Sequence, residues 1–114
     1  MIAVIFEVWP SPDHKDSYLN LAAALRKELE SIEGFISVER FESITEQGKM
    51  LSLSFFKDES SVVQWRNSLA HRRAQELGKG CYFTNYRLRI AEVQRDYGPA
   101  DRDQAPADSR EAHG

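Results

Sequence analysis

A chain of 114 residues has room for one domain with a buried core, and 41% hydrophobic with 29% charged residues is the balance of a globular protein. A net charge of -3 excludes a surface built to neutralise phosphates, so nucleic acid is not an expected partner. No apolar run approaches the ~20 residues that span a bilayer, no signal-peptide pattern opens the chain, and the single cysteine has no mate for a disulfide or a zinc motif. The expectation is a cytoplasmic protein with no structural metal, in which Cys81 is a small buried apolar residue.

Residues 2–9 alternate Ile2, Val4, Phe6 and Val8 against Ala3, Ile5, Glu7 and Trp9, the period of a strand apolar on both faces and so covered on both. Glu7 is the exception, a carboxylate between Ile5 and Trp9. The Pro-Ser-Pro-Asp run at 10–13 stops the strand. A helix is predicted from Asp13 or His14 to about Glu33, with Tyr18, Leu21, Leu25 and Leu29 on one side and Gly34 as its stop. Strands follow at 35–44 and 49–56, joined through Gly48 as a hairpin. In the first, Phe35, Ser37, Glu39 and Phe41 share one face, and Ile36, Val38 and Arg40 the other. In the second, Leu51, Leu53 and Phe55 oppose Ser52, Ser54 and Phe56.

Residues 58–75 read as an acidic helix start, a short amphipathic helix around Trp65, a break at Asn67-Ser68 and a second basic turn, stopped by the glycines at 78–80. The last strand is predicted over 81–95, with Tyr82, Tyr86, Leu88 and Ile90 on one face and Phe83, Asn85, Arg87 and Arg89 on the other. Residues 96–114 carry almost no large apolar side chain, which predicts a polar tail that is disordered or laid as an arm on a partner. Residues 1–95 form the single domain. The order β-α-β-β-α-β is the ferredoxin-like arrangement, an α+β fold with a four-stranded antiparallel sheet and both helices on one face. The other face would carry Ile5, Trp9 and Phe83 or their alternates, too apolar for water, so a homodimer with sheets packed face to face is expected.

Ile32, Gly34 and Phe35, followed by a hairpin, the run Phe56–Glu59, then Trp65, Ser68 and His71, resemble the antibiotic biosynthesis monooxygenase (ABM) family over residues 1–95. The resemblance implies a dimeric α+β barrel. It also implies a cofactor-independent monooxygenase that oxidises a small aromatic, phenolic or quinol-type substrate with O2 through a substrate carbanion. That branch pairs the tryptophan with an asparagine four residues earlier and a tyrosine six later, positions held here by Ser61 and His71, and places an arginine on the last strand. A heme-degrading branch instead uses an axial histidine ten residues after the tryptophan. Gln75 stands there, leaving His71 as an atypical ligand in a heme-binding or heme-degrading alternative. The other alternative is a non-catalytic dimer that binds a small ligand or serves a stress response.

The candidate site follows from these residues. His71 and Glu7 are candidate proton acceptors. Trp65 is a stacking wall or else core filling. Arg87 or Arg89 stabilises the anion or pairs with Glu7, and Arg72 holds an anionic group or complements a helix dipole, as Arg73 would. No metal ligands are expected, and no glycine motif for a nucleotide is present.

Overall fold

The computed structural model describes residues 1–67 and 82–113. Strand β1 (Ile2–Pro10) leads through a 3-10 turn (Pro12–His14) into helix α1 (Lys15–Glu30), then β2 (Phe35–Glu42), β3 (Met50–Phe56), α2 (Glu59–Arg66), β4 (Phe83–Glu92) and α3 (Ala107–His113). The strands form one antiparallel sheet in the order β2-β3-β1-β4, the ferredoxin-like topology that the element order predicts. Each predicted strand is present: β1 runs one residue past its expected end, through Pro10, and the other three are shorter than predicted. The second basic turn, with Ser68, His71, Arg72, Arg73, Gln75 and Cys81, lies outside the described residues. Among the described residues no helix is long and apolar enough to cross a membrane.

Strand alternation assigns the two faces. On the helix side, register aligns Val38–Ser54–Val4–Ile90 in one row, Arg40–Ser52–Phe6–Leu88 in the next and Glu42–Met50–Val8–Tyr86 in the third. The opposite face aligns Glu39–Leu53–Ile5–Arg89 and Phe41–Leu51–Glu7–Arg87. Two clusters hold the helices down. Val4, Leu29, Val38, Phe56 and Val62 pack at one end of the sheet, and Val8, Tyr18 and Met50 at the other. Burying each such side chain contributes about 1.5–3 kcal/mol.

Two sequence assignments reverse, each at a local break in pairing. Phe83 pairs with Pro10 while Asn85 pairs with Trp9, so a bulge leaves Thr84 over, its hydroxyl donating to the Trp9 carbonyl at 3.0 Å. Phe83 thereby turns to the helix side, with ring centroids 5.3 Å from Tyr18 and 5.8 Å from Phe6. A second irregularity, between Phe35 and Ser37, sends Phe35 onto Phe56 in the core and leaves Ile36 52% exposed. The tail is not featureless either. Arg102 stacks over the Tyr97 ring at 5.4 Å and donates to Ser109 Oγ at 3.0 Å, and Ala105 is buried. Polar pairing around Arg102, with burial of Ala105, organises this segment, which the composition alone could not reveal. The radius of gyration, 16.5 Å, exceeds the ~13 Å of a compact chain of this length.

The junction of α1, β2 and α2 is the tightest point of the fold. Asp58 caps α2, accepting from the Ser61 amide at 2.9 Å, and Ser61 Oγ lies 2.8 Å from both Asp58 Oδ1 and the Glu33 carbonyl. These donors hold the Asp58 carboxyl below its ordinary range. Gly34 has φ +92°, and a Cβ there would stand 2.1 Å from Ser61 Oγ. Gly48 has a similar φ of +86° but open space around it. Gly34→Ala is therefore expected to cost more than Gly48→Ala. The first adds a clash to left-handed strain of roughly 1–3 kcal/mol, and the second carries the strain alone. Urea unfolding of both variants checks this, and equal midpoints would refute the close-approach account.

Candidate functional site

Between the two packed clusters the middle row of the sheet, Arg40–Ser52–Phe6–Leu88, has no fully buried member. Above it lies a cavity of about 140 Å³ between sheet and helices. Its floor is low because Ser52 and Ser54 occupy the centre of β3, and its roof is notched where α1 presents Ala22. Leu21 and Leu25 of α1, Trp65 of α2, and Phe6 and Phe83 supply apolar walls. On the β4 side, Tyr86, Leu88 and Ile90 line the cavity and are 42–46% exposed, so this edge is its open flank. A closed cavity of similar volume holds a benzene-sized molecule, and this one is open.

The charged groups of the lining are both arginines, Arg40 from β2 and Arg66 at the end of α2. No carboxylate lines the cavity among the described residues. Arg40 stands beside Tyr18, which is buried at 5% exposure. Burial pushes the Tyr18 phenol up, while the Arg40 guanidinium beside it pulls the other way, so the hydroxyl stays protonated near neutral pH.

The structure divides the residues predicted for the site. Trp65 lines the cavity and also packs on Phe56, ring centroids 6.0 Å apart, so wall and core filling are one role here. Glu7, Arg87 and Arg89 occupy the opposite sheet face, and none of them lines the cavity. Strand period decides this: Glu7 is one residue from Phe6, and one residue changes the face. Glu7 instead accepts from Arg89 and lies 2.5 Å from Lys49 Nζ. Lys49 above all, then Arg89, hold its carboxyl below the ordinary value despite a counteracting desolvation. Lys49 also sits 5.1 Å from the Trp9 ring centre, and Trp9 donates to Glu46 at 2.7 Å. Ser61, at the asparagine's position in the quinone-forming branch, is buried and spent on the α2 cap. His71 and Arg72 lie outside the described residues.

Sequence reasoning passed over Arg40, Tyr18, Ser52 and Ser54. The signal was there for Arg40: a cation in line with Ile36 and Val38, where an apolar face calls for another hydrophobe. Two serines at alternate positions of a strand, opposite three large apolar residues, were likewise a sign of space left open.

This sheet, with helices on one face and a cavity beneath them, defines an α+β protein of the ferredoxin-like fold. Over residues 1–77 the chain matches the antibiotic biosynthesis monooxygenase family, and it belongs to that family. It is 46% identical over 93 residues to the jasmonate monooxygenase ABM of Pyricularia oryzae, a match covering 82% of this chain and 43% of that protein. YqjZ of Bacillus subtilis is 30% identical over 63 residues, covering 54% of this chain and 53% of that one. The chain thus spans about half the length of the curated relatives it matches. Rv0793 of Mycobacterium tuberculosis superimposes with a TM-score of 0.76 at 15% identity, covering 85% of this chain and 98% of that one, a likeness of fold.

The Glu7 cluster has a signed pH dependence. A carboxyl lowered on folding stabilises the native state above its unfolded value, near 4.5, and loses that contribution as pH falls through the folded value. Glu7→Gln is expected to be less stable than the parent at pH 7, with the gap closing below about pH 4.5. Urea midpoints at stepped pH and fixed protein concentration measure it, and a gap that is constant with pH would refute the pairing.

Proposed function

We propose that the chain is a homodimeric monooxygenase that binds a small organic molecule in the cavity under α1 and α2 and oxidises it with O2. The observation that carries this reading is the cavity itself: aromatic and aliphatic walls at Trp65, Phe6 and Phe83, with the polar groups of the described lining gathered at Arg40, Arg66, Tyr18 and the serine floor. Membership of the monooxygenase family supports the reaction class. The substrate has a methylene or ring carbon made acidic by a neighbouring carbonyl or phenol. His71 takes the first proton, and the carbanion adds to O2 as a hydroperoxide. Loss of the second proton with cleavage of the O–O bond then leaves a carbonyl and releases water. The sum, CH2 + O2 to C=O + H2O, balances without an external reductant, so no cofactor is needed for it.

Phenolic anthrone-type compounds are the first substrates for an oxygen electrode. The name of the Pyricularia relative adds jasmonate, an alicyclic keto acid, as another test compound. His71→Ala is expected to lower kcat tenfold or more with ligand affinity nearly kept. Trp65→Ala is expected to weaken binding. Uptake undiminished in His71→Ala removes the proposed base. A saturable Soret shift on hemin titration, lost in His71→Ala, would favour the heme alternative instead.

The opposite sheet face supports the dimer. Ile5, Leu51, Leu53 and Phe55 are only partly covered there, and Phe41 is 42% exposed, which together make an apolar patch around the Glu7–Lys49–Arg89 cluster, flanked by Glu39 and Arg87. Wild type is expected to sediment at twice the chain mass, and Leu53→Glu, in the middle of that face, at the mass of one chain. A wild-type mass of one chain at micromolar concentration refutes the face-to-face pairing.

A further inference from the structure

We infer that Arg40, with the Tyr18 hydroxyl beside it, is the anchor for a carboxylate, so that the ligands of this cavity are anionic amphiphiles: an apolar body along Trp65, Leu21, Leu25 and Leu88, ending in one carboxylate at β2. The inference rests on the cavity being the ligand site and does not depend on what is done to the ligand there.

Three observations carry it. Arg40 occupies the helix side of the sheet in the row that floors the cavity, next to Ser52 and Phe6. A guanidinium there is shielded by α1, and its Nε is buried with no hydrogen-bond partner. The ion pairs of the described residues join Lys15 with Glu42, Arg26 with Glu30, and Lys49 and Arg89 with Glu7, so Arg40 belongs to none of them. Arg40 is half-buried, its guanidinium bonds the Tyr18 hydroxyl, and it has no counter-ion among the described residues, where charges drawn out of water are normally paired. Its neighbour is instead a neutral phenol, held protonated by burial. The second arginine of the lining, Arg66, adds to the same sign of potential, with no acid in the described lining to offset it. The planar fork of Arg40 matches two carboxylate oxygens, and the Tyr18 hydroxyl is a third donor. The small Ser52 and Ser54 side chains leave the approach open.

A competing role for the same cation is to stabilise an enolate or phenolate formed during oxidation, which would leave affinity for unreactive acids unaffected. Binding of unreactive pairs separates the two. Isothermal titration of 3-phenylpropanoate against 3-phenylpropanamide, with the full chain at pH 7, is expected to show the acid bound at least tenfold more tightly. Arg40→Gln is expected to abolish that preference while leaving the affinity for the amide within about twofold. Arg40→Lys keeps the charge without the fork and is expected to retain part of it. Circular dichroism and a urea midpoint verify that each variant is folded, and Tyr18→Phe, expected to reduce the preference several-fold, provides a second route should Arg40→Gln not fold. Equal binding of acid and amide by wild type overturns the anchor while leaving the cavity as a ligand site. A preference that survives in Arg40→Gln overturns it also. Binding of neither compound overturns the anchor and the cavity assignment together, whereas failure of oxygen uptake alone bears only on the reaction.

Discussion

Everything in this molecule depends on the two-residue period of its sheet, which compels each strand to serve two interfaces at once. The helix side is packed at both ends, around Phe56 and Leu29 at one and Val8 and Tyr18 at the other. Between them the central row offers a serine, an arginine and a phenylalanine instead of three aliphatic side chains. Two well-packed clusters can support helices across a gap that neither fills, because the backbone hydrogen bonds of a helix keep it stiff between its supports. The cavity is thus bounded by the parts of the core that are best buried, and its walls are placed by packing that any ligand leaves intact.

The opposite face obeys the same alternation with other contents. Between Met50 and Phe56, which pack under the helices, β3 gives Leu51, Leu53 and Phe55 to this side and its serines to the helices, the reverse of a sheet whose bare face meets water. Glu7 sits among them with Lys49 and Arg89, and Trp9 is tied to Glu46 and stacked by Lys49. Charged groups that satisfy one another within the chain can be covered by a partner at lower cost than isolated ones, since the pairing is already made before water is excluded. In the proposed dimer, these charges would restrict which register of a second sheet is acceptable.

The capping assembly at Asp58, Ser61, Glu33 and Gly34 links these two interfaces to the helices. One serine ties the start of α2 to the end of α1, and a glycine without Cβ lets the two approach. Trp65 is one turn further along α2, so the position of the cavity wall is set by this contact. The Ser61 position thus belongs to the scaffold, while Arg40 and Tyr18 are among the polar groups of the cavity.

The sequence by itself determined the element order and the antiparallel sheet, because period-2 and period-3.6 patterns and glycine stops act locally. Its motifs carried the resemblance to the family, and it left Trp65 open between cavity wall and core filling. It also yielded the pairing of Glu7 with an arginine of the last strand. What only the tertiary structure decided was which face each strand turned to the helices. Alternation separates two sets of residues without saying which set is inside, and so Glu7, Arg87 and Arg89 could be read toward a cavity that they back away from. The bulge at Trp9–Pro10 and the irregularity before Ser37 are set by pairing between segments far apart in the chain, so Phe83 and Phe35 could not be placed from their own neighbours. Arg40 and Tyr18 lie 22 residues apart, on a strand and a helix. Their meeting is a product of helix docking, since no local pattern brings together a strand position and a helix position across a layer of the core.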